Sequence, residues 1–187
     1  LSERALREGL IVDWMIRHGF LEDRFSYQKT IRERTVMHQV ERFSVNQIRA
    51  ENVARHALSL YETTRNFLHN DKGIGRDLLW AAAMLHACGK HINRSAYHKH
   101  SWYLIRNGEL LGYSQSEHLM VAAIARYHRR SLPKKRHEAW QLLPNRYHRN
   151  IVSEMSILLR LAVAIDRRPE PVVSRLIIKV KEPKIIC

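Results

Sequence analysis

The run LLWAAAMLHAC, Leu78 to Cys88, constrains the fold more than any other part of the chain. On a helix it is apolar on most sides, so it has to be covered by neighbours on most sides. A segment of that kind is the buried member of a helical domain. The spacing predicts this helix over Asp77 to Cys88, with Gly89 stopping it. The flanking sequence supplies the cover. Leu6, Leu10, Ile11, Trp14 and Met15 recur at helical spacing before Gly19. Thr35 to Phe43 reads as a short helix, and Asn46 to about Leu68 as a long one with Ile48, Val53, Ala57, Leu60 and Tyr61 facing inward. Lys99 to Asn107 is closed by Gly108. Ser114-Gln-Ser-Glu117 has the capping-box pattern, which opens a helix running to about Arg130, with Pro133 in the loop beyond. A last long helix is expected from about Arg146 to Asp166, ahead of Arg167, Arg168 and Pro169. The fold class is all-α.

The C-terminal segment differs. Val172 to Val180 is β-branched and partly alternating, the pattern of a strand. A lone strand cannot satisfy its own edges, so it is expected to begin a truncated further element. The chain has 187 residues, starts at Leu1 and shows no signal-peptide pattern, which suggests a fragment of a longer protein. The expected division is a junction helix over 1–20, a helical domain over 21–168 and a truncated element over 169–187. Two cysteines, Cys88 and Cys187, make neither a disulfide framework nor a thiolate zinc site, and a reducing cytoplasmic location fits. No apolar run approaches the roughly 20 residues of a membrane span.

Charge is unevenly distributed. Overall 32 Lys and Arg face 18 acids, a net of +14. Lys90 to Arg149 holds 12 of those bases and only Glu109, Glu117 and Glu138 among acids, a net of +9. From Leu78 to Gly108 there is no acid at all. Any single base reads as a solvated surface group, but a one-signed cluster repels itself unless an anion relieves it. Readers of nucleic acid interleave aromatic side chains that stack on bases. Only Trp102, Tyr103 and Tyr127 lie among these bases, and at least two of them are expected to pack in the core. A ligand that is all phosphate needs only cations and amide or hydroxyl donors, which suits the composition better.

Histidine is abundant, with 12 in the chain. His56, His86 and Asp166 fall on three predicted core helices, an arrangement of the kind that HD-type metal phosphohydrolases use. Those enzymes follow the second histidine with aspartate, whereas this chain has Ala87. The alternative is that the histidines are buried and hydrogen-bonded, with Asp166 met by a metal or by Arg167 or Arg168. The sequence contains no nucleophile elbow, Walker loop, dinucleotide fingerprint or HExxH motif. Cys88 reads as a small buried hydrophobe.

The run from Leu78 to Lys135 resembles the C-terminal helical domain of the exopolyphosphatase / guanosine pentaphosphate phosphohydrolase (Ppx/GppA) family. AAAMLH, HKHSWYLIRN, the Gly-Tyr-Ser turn at 112–114 and ARYHRRSLPKK carry the likeness. LREGL at 6–10 is similar to the family's junction with its actin-like catalytic domains, and LLRLAVAIDRR at 158–168 to the end of the helical domain. The resemblance implies an HD-like helical domain whose metal set is degenerate. It implies a parent that removes terminal phosphate from polyphosphate or pppGpp, using Mg²⁺ in actin-like domains outside this sequence. No catalytic residue and no cofactor is then expected in this chain. The matching basic residues are His98, Lys99, His100, Arg106, Arg126, His128, Arg129, Lys134 and Lys135, expected to bind polyphosphate; a homodimer is also implied. The competing readings are a self-sufficient HD-type metal phosphohydrolase, a nucleic-acid-binding module and a purely structural dimerisation domain.

Overall fold

The computed structural model describes residues 30–71 and 73–167, together with Trp14, Met15 and Val173. The expected junction helix, apart from Trp14 and Met15, and the strand over Val172 to Val180, apart from Val173, lie outside the described residues. Within them the chain is all-α. Helices run over Ile31–Arg42 (α1), Gln47–Thr64 (α2), Ile74–Leu85 (α3), Tyr97–Asn107 (α4), Gln115–Tyr127 (α5), Glu138–Gln141 (α6) and Arg146–Ile165 (α7), with a 3-10 turn at Cys88–His91. No helix among the described residues is long and apolar enough to cross a membrane.

Helix α3 is the centre, packed against α1, α2, α5 and α7. Leu78, Leu79, Ala81, Ala82, Ala83, Met84 and Leu85 are all buried. Small alanines let the neighbouring axes come close, and the larger side chains fill the gaps between them. Helix α5 supplies a second almost wholly buried run, Met120 to Ala125. Ser114 Oγ accepts from Glu117 N at 3.3 Å and Ser114 N donates to Glu117 Oε2 at 2.8 Å, the reciprocal cap expected from the sequence. Glu117 also pairs with Arg32 at 2.8 Å, which ties α5 to α1.

Several helix boundaries differ from expectation. Helix α1 begins at Ile31 because Thr30 and Glu33 form a capping box of their own. Helix α2 stops at Thr64 instead of Leu68. The chain turns there through Asn66, at φ 63°, and folds His69 back onto Tyr61. Asp71 holds that turn: its carboxylate accepts from Tyr61 Oη at 2.8 Å, from His69 Nδ1 at 3.1 Å and from Gly75 N. Helix α5 ends at Tyr127 instead of near Arg130, and Arg130 has φ 65°. Ile48, expected inside, is 71% exposed because it lies in the first turn of α2, ahead of the buried stripe that begins at Ala50.

The end of α3 also departs from the simple reading of Gly89 as a helix stop. Helix α3 closes at Leu85, and Gly89 lies inside the 3-10 turn. A Cβ on Gly89 would sit 2.1 Å from Tyr97 O and 2.3 Å from Ser101 N. Glycine is required because α4 lies directly on the turn. Ser101 completes the joint, accepting from Gly89 N at 3.0 Å and donating to His86 O at 2.8 Å. Cys88 is fully buried and its thiol is pushed up to about 12 by burial, as befits a packed hydrophobe.

Candidate polyanion-binding site

The turn and α4 on one side, and the end of α5 with the loop after it on the other, bring the basic residues together. Lys99 comes from α4, Arg126 from the last turn of α5, Arg129 from just beyond it and Lys134 from the following loop. Two histidines report how close they are. His98 is buried and its proton affinity is pushed down to about 4, first by burial and then by Arg129, Arg126, Lys99 and Arg130. His137 is lowered by desolvation and then by Arg126, Arg136, Lys134 and Lys99. Arg126 and Lys99 act on both rings, so these cations share one electrostatic neighbourhood, here called the band. Among the described residues, no carboxylate makes an ion pair with Lys99, Arg126, Arg129, Lys134 or Lys135. Repulsion within the band is therefore left for an anion to relieve.

The remaining candidates take different positions. Arg106 is paired with Glu138 at 2.5 Å and lies over the Trp102 ring, so its charge is already spent. His128 is buried. Its Nδ1 donates to Ala125 O and its Nε2 accepts from Tyr97 Oη at 3.0 Å, which leaves neither nitrogen for a ligand. Burial, with His86 next, holds it neutral. His98 is too deeply buried to touch a surface ligand directly. His100 is half-buried on α4, and Lys135 is exposed in the loop. Of the aromatics, Trp102 and Tyr127 are core residues and Tyr103 is exposed, as the sequence indicated.

The HD-like set does not come together as a metal site. Among the described residues no three His, Cys, Asp or Glu side chains are placed to hold an ion. His86 is buried, donates from Nδ1 to Ala83 O at 2.6 Å, and is pushed down to about 4 by burial, with smaller contributions from Lys90 and Arg49. His56 is buried, and its Nε2 has no hydrogen-bond partner. The cation that meets Asp166 is Arg49 of α2, not its neighbour Arg167. Arg49 Nε lies 3.4 Å from Asp166 Oδ2, and its Nη2 donates to Asp166 O at 2.7 Å. A fixed guanidinium thus occupies the carboxylate, and the residues present do not fit a divalent metal.

Sequence reasoning overlooked Arg49. Its partner is 117 residues away, and one turn into an ordinary helix nothing local sets it apart. It lines a cleft of about 320 Å³ together with Lys90 and Arg94, which the charge count had gathered without assigning them a site.

Among the described residues the chain is thus an all-helical domain with a buried alanine-rich centre and a set of cations that no carboxylate pairs. The comparisons with known proteins show the family of such a helical domain. Residues 31–184 match the family described as Ppx/GppA phosphatase, domain III, and the chain belongs to this family. A guanosine-5'-triphosphate,3'-diphosphate pyrophosphatase of Pseudoalteromonas translucida (strain TAC 125) is 36% identical over 134 residues, covering 72% of this chain and 25% of that protein. The protein of the same name from Pseudoalteromonas atlantica (strain T6c / ATCC BAA-1087) is 31% identical over 132 residues, covering 71% of this chain and 25% of its own length. The chain spans about a quarter of the length of these curated relatives.

Proposed function

We propose that this chain is the helical domain with which a Ppx/GppA-type phosphohydrolase holds an extended phosphate polymer, the bond cleavage being carried out by actin-like, Mg²⁺-dependent domains outside the sequence. The observation that carries the reading is the band of Lys99, Arg126, Arg129 and Lys134, which share one electrostatic neighbourhood without a carboxylate partner among the described residues. A polyphosphate brings a negative charge at each unit along a flexible chain, so cations spaced along a groove bind it by displacing its counterions. Grip remote from the scissile bond raises affinity for long chains and leaves the chemical step unchanged. The substrate is a terminal phosphoanhydride, of polyphosphate or of guanosine pentaphosphate, the latter favoured by the names of the relatives. Two copies of the domain in a cytoplasmic homodimer would lengthen the groove. On its own the chain hydrolyses nothing.

The test is a titration of the chain with polyphosphates of short and long chain length, with single-stranded RNA as competitor. Affinity that grows with polymer length and resists RNA of equal charge supports the reading. Length-independent affinity defeats it in favour of a structural module, and preferential binding of RNA defeats it in favour of a nucleic-acid module.

A further inference from the structure

The cleft between the α1–α2 loop and the turn after α3 adjoins the band described above across the Tyr97 ring. Arg49 enters it from α2, Lys90 from the 3-10 turn and Arg94 from the loop that follows, with Ser44 and Asn46 beside them and His86 in the wall. No carboxylate lines it. Asp166 neutralises part of Arg49 alone, while Lys90 and Arg94 make no ion pair among the described residues. Lys90 carries the strain of this arrangement: burial lowers its proton affinity first, followed by Arg49, Arg94 and Arg129. Asn46 caps helix α2, which directs the positive end of its dipole to the same place. The volume, about 320 Å³, falls in the lower range of small-molecule sites.

We infer that this cleft is a discrete binding site for a phosphate or diphosphate group, held by Arg49, Lys90 and Arg94 with the Ser44 hydroxyl and the Asn46 amide as neutral donors. Cations from separate segments face one space and lack a counter-charge. A tetrahedral oxyanion can accept from guanidinium, ammonium and hydroxyl groups at once. Where an HD-type site would gather carboxylate and imidazole around a dication, this chain has Ala87 in the wall and Arg49 on Asp166, so the local charge is inverted and the attracted ion is an anion. The group is supplied by a free inorganic phosphate species or by the phosphates of a guanine nucleotide.

The experiment is a calorimetric titration of the full chain with inorganic pyrophosphate, repeated with guanosine diphosphate. The double variant Lys90→Ala/Arg94→Ala is compared with Arg65→Ala/Arg146→Ala, two exposed cations outside both the cleft and the band. All four side chains are on the surface, so circular dichroism should show every variant folded. Loss of charge-assisted contacts in the cleft is expected to weaken pyrophosphate by about tenfold or more, while the Arg65/Arg146 variant stays within about twofold. Arg94→Lys should retain most of the affinity. If the cleft variant binds pyrophosphate as the parent does, or if both double variants lose it equally, the site does not exist. Guanosine diphosphate that competes with pyrophosphate and shares its dependence on Arg94 identifies the nucleotide as source; pyrophosphate binding alone identifies the inorganic species. The outcome is independent of the long-polymer reading, which rests on Arg126, Arg129 and Lys134.

Discussion

Removing Arg126, Arg129 and Lys134 together, as alanines, tests the cationic band quantitatively. None of them forms an ion pair among the described residues, so their loss leaves no buried carboxylate unpartnered and the fold should survive. Each cation that contacts a flexible polyanion releases condensed counterions and adds about 0.7 to the negative slope of log K against log salt. Three lost contacts should therefore flatten that slope by about 2, so that raising salt from about 50 to 200 mM costs roughly 20-fold less affinity than in the parent. Fluorescence titration of labelled long polyphosphate at several salt concentrations measures both slopes. Affinity should also fall at every concentration, most of all at low salt, where screening is weakest. An unchanged slope would mean that these residues do not touch the polymer, whatever happened to the affinity. A slope flattened equally by removing Arg106, already neutralised by Glu138, would refute the distinction between paired and unpaired cations.

Two further outcomes concern the scaffold. Ser101→Ala strips buried partners from Gly89 N–H and His86 C=O and should cost about 1–3 kcal/mol, read as a fall in Tm of roughly 2–4 °C per kcal/mol; an unchanged Tm would show that the joint between the turn and α4 is not held by this hydroxyl. His86 and His98 are buried with proton affinities lowered from 6.5 to about 4, so the unfolded chain takes up protons that the folded one refuses. Stability in urea should therefore be full above pH 6.5 and decline as pH falls toward about 4, and a flat profile over that window would contradict burial of the neutral rings.

Much of the helical framework was legible because its signals are local. The apolar run from Leu78 could be placed only at the centre of the fold, and the Ser114–Glu117 cap is visible as a four-residue pattern. The Thr30–Glu33 cap is equally local but precedes a helix whose apolar stripe begins at Thr35, so a reading led by hydrophobic spacing starts too late. The end of α2 was illegible for a different reason. Helical spacing continues past Thr64, and what breaks it is a buried carboxylate at Asp71 gathering Tyr61, His69 and Gly75. The same division holds at the site. Sequence density alone marks the segments that carry the cations, since charge accumulates along consecutive residues. It could not separate Arg106, paired with Glu138, and His128, hydrogen-bonded through both nitrogens, from Arg126 and Arg129, which lie over tyrosine rings and meet no carboxylate among the described residues. Arg49 was hidden altogether, because only three-dimensional structure brings Asp166 to it.

The missing side chain at Gly89 has a consequence for how charge is arranged. With backbone against backbone there, Lys90 on the turn and Tyr97 at the head of α4 are set at a fixed separation, and Lys90 Nζ lies 5.1 Å from the centre of the Tyr97 ring, above which Arg129 also sits at 4.6 Å. One phenol ring therefore acts as the shared boundary stone between the small cleft and the long band. Any residue larger than glycine at position 89 would shift that marker and disturb both territories together, although it touches neither.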